Sequence, residues 1–210
     1  MSWFSLTHAV LPTSMLLPMW VSLSWAVVMS ALVLQLTYRF KFKFKFKLWL
    51  AALFGVLVLL PQLKLASYLA LAFQTPSLVL FAWALWYWVD AVQLCKSRTT
   101  TPTSVAFLGV VLGWALVLDT LNYWPSFFNP QLYALGFESV GLWLVLVVTA
   151  AVLYWSLPSK RWALSAIAVL AIYVLMRLPT GNVWDALLDP FVWLALHVQL
   201  WRTWRASRNT

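Results

Sequence analysis

The sequence predicts an all-α fold, a polytopic transmembrane helix bundle of about seven spans (six to eight), with the N-terminus outside and the C-terminus inside. Three observations predict it. Hydrophobic residues make up 64% of the 210 and charged residues only 9%, against about 25% charged in a soluble domain. The apolar residues come in runs close to the ~20 needed to cross a bilayer. The cations are gathered into short segments between those runs, the pattern that sets orientation during membrane insertion. The net charge of +9 therefore points to topology and not to nucleic acid. No stretch is left over for a separate soluble domain, so residues 1–210 read as a single membrane-embedded domain.

The first span is expected from Met15 to Tyr38, with Pro18 in its opening turns, where a missing N–H does little harm. Residues 1–38 hold no Lys or Arg, and cations follow at once. A secretory signal has the opposite order, so this span is expected to be retained and to send the N-terminus outward. The second span starts at Leu48 and runs unbroken to Leu60, after which Pro61 and Lys64 obscure its end. The following "QLKLASYLALAFQT", residues 62–75, is too short to span; it reads equally as a kinked extension of the second helix and as a half-helix at the interface. The third span covers Pro76 to Cys95, the fourth Pro102 to Leu121, the fifth Val140 to Leu157, the sixth Trp162 to Met176 and the seventh Val183 to Trp201. The aromatic, proline-rich connection Asn122–Ser139 is expected to lie along the outer membrane surface.

Counting charge by side supports this threading. Twelve of the fourteen lysines and arginines fall in residues 39–47, 96–101, 158–161 and the tail after Trp201, all on the inner side of a seven-span chain; only Lys64 and Arg177 lie elsewhere. Four of the five acids, Asp119, Glu138, Asp185 and Asp189, fall on the outer side, which is consistent but carries little weight. The tryptophans fit as interfacial belts, with Trp49, Trp155, Trp162, Trp201 and Trp204 near the inner edge and Trp124 and Trp184 near the outer one.

The most unusual stretch is "RFKFKFKFK", in which Arg39, Lys41, Lys43, Lys45 and Lys47 alternate with four phenylalanines. In an extended strand the cations would share one face and the rings the other. Such a ribbon at the inner interface would set its rings into the acyl boundary and its cations against anionic headgroups, each worth about 1 kcal/mol. The alternatives are an edge strand for a partner protein and plain helix termini with snorkelling lysines.

Few residues suggest chemistry. Asp90, in "WYWVDAVQLC", lies close to Lys96 and Arg98; it reads as an interfacial ion pair or as a proton- or ion-coupling acid. "PTGNVWDALLDP" places Asp185 and Asp189 four residues apart, on one face if the segment is helical, with Arg177 just before them. It reads as a capped helix start, Thr180 or Asn182 capping and Asp185 facing the dipole, or as an outward-facing polar site for a cation or small solute. Gly109 and Gly113 form a GxxxG pair in the fourth span, which allows close helix packing. His8 and His197 are the only histidines and fall at opposite faces, so a shared haem is not expected. No lysine in the seventh span means no retinal Schiff base there, and the lone Cys95 excludes an internal disulfide. No cofactor or metal is implied. Local catalytic motifs are absent.

The function expected from these features is an integral, multi-pass protein of a bacterial inner membrane. It would be an accessory or structural subunit of a larger assembly, in contact with other membrane proteins and with anionic headgroups at the inner face. The alternatives are a small ion- or proton-coupled transporter and a membrane enzyme acting on a lipid-linked substrate at the outer face.

Overall fold

A computed structural model of the chain describes residues 12–38, 40, 42–92, 101–123, 131–138, 146–151, 154 and 160–208. Every regular element among them is helical and no strand occurs. The residues group into two compact units, Pro12–Arg98 and the described part of Thr99–Thr210.

In the first unit α1, Leu16–Thr37, is 22 residues long, a rise of about 33 Å, and is apolar and long enough to cross a membrane. Its buried hydroxyls fold back on the preceding turn: Ser30 Oγ donates to the Val27 carbonyl at 2.8 Å and Thr37 Oγ1 to that of Leu34 at 2.8 Å. These bonds remove the cost of burying an unpaired hydroxyl. α2, Phe44–Leu59, returns antiparallel to α1. Gly55 faces Ser30 and Ala26, Ala51 packs with Leu34, and Lys47 lies against Tyr38. A methyl on Gly55 would stand 3.3 Å from Ser30 Cβ, so the small residue sets the closeness of the pair.

The extended ribbon expected over Arg39–Lys47 does not hold from Phe44 onward, because Phe44–Lys47 form the first turn of α2. An isolated strand leaves its backbone N–H and C=O groups to find outside partners, whereas a helix satisfies most of its own. Lys43 is the extended cap residue, and its carbonyl accepts from Lys47 N at 3.2 Å. Arg39 and Lys41 lie outside the described residues.

Residues 62–75 are neither a span nor a continuation of α2. Leu60 is extended, Pro61–Leu63 make one 3₁₀ turn, and Lys64 sits in the left-handed region at φ 50°. There follows α3, Leu65–Phe73, whose nine residues rise about 14 Å, half of the ~30 Å hydrocarbon core. Its Ala66 packs with Trp25, Ala26 and Val58, and Trp25 Nε1 donates to the Gln74 carbonyl at 3.1 Å. α4, Leu78–Val92, begins where Ser77 Oγ accepts from Leu80 N at 3.0 Å, an ordinary N-cap. It is bound to α1 by Trp88 Nε1, which donates to Ser30 Oγ at 2.8 Å.

In the second unit α5, Thr103–Thr120, follows Pro102 and, with α1, is one of two helices among the described residues long and apolar enough to cross a membrane. Next come the short α6, Leu132–Glu138, helical residues at 146–151, and α7, Lys160–Met176. The helix expected over Val183–Trp201 is broken into α8, Val183–Leu187, and α9, Pro190–Arg208. Pro190 explains the break: its ring disfavours helical backbone at Asp189 and removes one N–H. A proline at the first position of the new helix costs nothing, and Asp189 Oδ1 caps it, accepting from Val192 N at 2.8 Å. α9 runs antiparallel to α5. A methyl on Gly109 would collide with Leu196, and one on Gly113 with the Trp193 indole. Gln199 Nε2 donates to the Thr101 carbonyl.

Candidate functional site

The densest polar constellation among the described residues lies in the second unit, where α6, the turn after α7, and α8 meet. The chain leaves α7 through Arg177 at φ 57° and a turn closed by Gly181 N donating to the Arg177 carbonyl at 2.8 Å. Asn182, fully buried, holds the centre. Its Oδ1 caps α8 by accepting from Trp184 N at 2.9 Å, and its Nδ2 donates to the Tyr133 carbonyl on α6 at 3.0 Å. Trp184 Nε1 donates to the Leu132 carbonyl at 2.7 Å. The equally buried Tyr173 hydroxyl donates to the carbonyls of Gly136, at 3.3 Å, and of Gly181. Gly136 has to be glycine here: a Cβ would overlap Asn182 Oδ1 and crowd the Trp184 ring at 2.6 Å.

Asp185 occupies the edge of this cluster. Its Oδ2 accepts from the Tyr133 hydroxyl at 3.0 Å and from Thr180 Oγ1 at 2.5 Å. Burial, and after it the Asp185 charge, push the Tyr133 phenol up to about 12; a hydrogen bond with the Asn182 side chain acts the other way. The phenol therefore stays protonated across the neutral range and serves the carboxylate as a donor. Tyr133 N also donates to Asp119 Oδ2 at 2.8 Å, while Asp119 Oδ1 is buried without a hydrogen bond. The Arg177 guanidinium lies 5.5 Å from the Tyr173 ring centre, with its Nη1 buried and unbonded.

The structure sorts the residues singled out in the sequence. Arg177 and Asp185 both border the cluster. Asp189 does not share a helical face with Asp185, because the helix ends between them; its carboxylate caps α9. Asn182 is the cap of α8, and Thr180 instead donates to Asp185. Trp184, expected in the outer aromatic belt, is buried at the centre of the cluster. Asp90 lies on α4 in the first unit, and its neighbours Lys96 and Arg98, like His8 and Cys95, fall outside the described residues.

Sequence reasoning missed Tyr133, Tyr173 and Gly136. Their only signal was the aromatic connection ending in a short helical pattern opposite a Thr-Gly-Asn turn.

Chemically, this arrangement is a set of struts. Most of its acceptors are met by a donor: Asn182 Oδ1 and Asp119 Oδ2 take backbone N–H groups, and Asp185 Oδ2 takes two hydroxyls. Among the described residues no three His, Cys, Asp or Glu side chains come together as metal ligands. His197 is likewise held on both nitrogens: Nε2 accepts from Trp114 Nε1 at 3.2 Å, so Nδ1 carries the proton and donates to the Trp193 carbonyl at 2.9 Å. No family model, curated protein or solved structure matches the chain.

Proposed function

We propose that the chain is a multi-pass protein of a bacterial inner membrane, N-terminus out and C-terminus in. In this reading it works as a non-catalytic accessory subunit of a larger membrane assembly. The observation that carries the reading is the use made of three of its five acids. Asp185 is committed to two hydroxyls, Asp189 to a helix cap and Asp119 to a backbone N–H, while large apolar side chains such as Leu71, Leu175 and Trp49 face outward. Acids that hold turns together are poor candidates for loading and releasing a substrate. Outward apolar side chains suit lipid and neighbouring helices. Two helices long and apolar enough to cross a bilayer, with shorter apolar helices at Leu78–Val92 and Arg161–Met176, support the membrane setting, and the cation asymmetry supports the orientation.

The test is purification from cells at native expression in a gentle detergent, paired with Asp185→Asn and Asp189→Asn. The expected result is a complex of fixed stoichiometry, with both variants lowering the amount of folded chain. A chain that purifies alone, together with an Asp185→Asn variant of normal abundance that has lost a proton- or cation-dependent uptake, replaces this reading with the transporter.

A further inference from the structure

The last two turns of α9 carry a pattern that the packing of the helix does not use. α9 faces α5 through Trp193, Leu196 and His197. Its other side shows Leu194, 62% exposed, then Val198 and Trp201, at i, i+4 and i+7. From Trp201 to Arg208 every residue is exposed. Here two guanidinium groups are stacked on indoles one turn below them: Arg205 lies 3.9 Å from the Trp201 ring centre and Arg208 3.9 Å from that of Trp204. At 3.6 residues per turn, Trp201, Trp204, Arg205 and Arg208 share an arc of about 100°, and that arc continues the Leu194–Val198 line. Thr203, Ala206 and Ser207 take the opposite side. Residues 190–210 contain no Asp or Glu, so the segment offers these cations no acid of its own.

We propose that this stripe is a docking site for anionic phospholipid headgroups. The order along the helix, apolar residues, then indoles, then guanidinium groups, is the order in which a bilayer presents acyl chains, interface and phosphate. The spacing agrees as well: Trp201 to Arg205 rises about 6 Å, close to the ~5–8 Å of one polar headgroup layer. A guanidinium held over an indole is also pre-oriented. The ring covers one side of it, and a guanidinium's N–H edges match two phosphate oxygens at once. An acidic protein or a nucleic acid would satisfy the charges but would leave the exposed Leu194–Val198–Trp201 line without a partner; a lipid covers both.

This inference rests on the membrane reading, and the test separates the two. The full-length chain, with Cys95→Ser and Arg202→Cys, carries an environment-sensitive dye at position 202, which is exposed beside the stripe, and is reconstituted into vesicles of phosphatidylcholine containing increasing phosphatidylglycerol. The expected result is a blue shift that grows with phosphatidylglycerol. The docked-to-undocked ratio should fall roughly fivefold for each arginine in Arg205→Gln and Arg208→Gln. Arg205→Lys with Arg208→Lys, which keeps the charge and the fit to the helix dipole, should recover only part of the response. A shift that is equal in pure phosphatidylcholine, or one that survives the double glutamine variant, overturns the inference while leaving the membrane reading intact. Release of the labelled chain from the vesicles by alkaline carbonate overturns the membrane reading and this inference with it.

Discussion

The two units solve the same problem in different ways. In Pro12–Arg98, α1 packs against α2, α3 and α4, and most of the contact is apolar or small: Ala26, Ala51, Gly55, Ala66 and Ala91 let backbones approach. Long-range hydrogen bonds such as Trp25 to Gln74 and Trp88 to Ser30 join helices that are already adjacent. In the second unit the five-residue α8 and seven-residue α6 are too short to satisfy most of their own backbone groups, since each helix end leaves four unpaired. Their carbonyls and N–H groups are met by Asn182, Tyr173, Trp184 and Asp119 instead. Long helices tolerate greasy, imprecise packing, whereas short ones require named polar side chains at fixed positions.

That difference can be broken with one substitution made in each unit. Gly136→Ala pushes a methyl into Asn182 Oδ1 and the Trp184 ring, neither of which can retreat without losing a hydrogen bond. It should cost about 3 kcal/mol, at the top of the usual range for overpacking. Gly55→Ala brings its methyl to 3.3 Å from Ser30 Cβ, a contact relieved by a small helix shift and partly offset by the ~1 kcal/mol helix preference of alanine. Its net effect should stay within about 1 kcal/mol of zero. Thermal aggregation of the two purified variants in detergent reads the contrast, and equal losses would remove it.

A smaller effect comes from deleting polar struts. Asn182→Ala orphans Trp184 N and the Tyr133 carbonyl, and should cost about 2–3 kcal/mol. Ser30→Ala orphans only Trp88 Nε1 and should cost about 1 kcal/mol. The ratio sharpens the comparison, because both residues are buried and both bond across about fifty residues of chain. Proteolysis of the purified variants against temperature orders them, and a costlier Ser30→Ala would sink the idea that the second unit depends more on its polar groups.

Smaller still is the contrast within the basic stretch. Lys47 is 8% exposed, its Nζ 4.9 Å from the Tyr38 ring centre, whereas Lys43 and Lys45 are exposed. Lys47→Gln should lower stability by about 0.5–1 kcal/mol. Lys43→Gln with Lys45→Gln should leave stability unchanged and weaken only the orientation of insertion, which reporters fused after Thr210 and within residues 122–138 can read.

What was legible in the sequence follows the same line. The edges of α1, α4, α5 and α7 fall within a few residues of the apolar runs, because hydrophobicity alone defines a long helix in this composition. The break before Pro190 is marked in the sequence only by the proline, inside an otherwise continuous apolar pattern. The alternation in Phe40–Lys47 suggested period two, yet from Phe44 on the backbone's need for its own hydrogen bonds outweighed side-chain patterning. The Tyr133–Asn182–Asp185 cluster was largely hidden, because its partners lie about fifty residues apart and nothing local marks a tyrosine as the mate of a distant carboxylate.

The smallest effect at neutral pH is the one most specific to the second unit. Tyr133 has its phenol raised from the usual 10.0 to about 12 by burial and by the Asp185 carboxylate. A folded value above the unfolded one means that the folded state holds the proton more tightly. The contribution is therefore complete below pH 10 and is lost as pH rises toward 12, where a tyrosinate would stand against Asp185 with no proton to share. Wild-type protein should accordingly lose stability across that window. Tyr133→Phe should show a shallower alkaline loss, at the expense of one hydrogen bond to Asp185 at neutral pH. An ultraviolet titration of phenolate absorbance provides the independent check: the late-ionising absorbance should shrink by one tyrosine's worth in Tyr133→Phe relative to wild type. If the late-ionising absorbance is undiminished in that variant, the coupling of Tyr133 to Asp185 is not what holds the proton, and the cluster at α6 and α8 is held by Asn182, Trp184 and Tyr173.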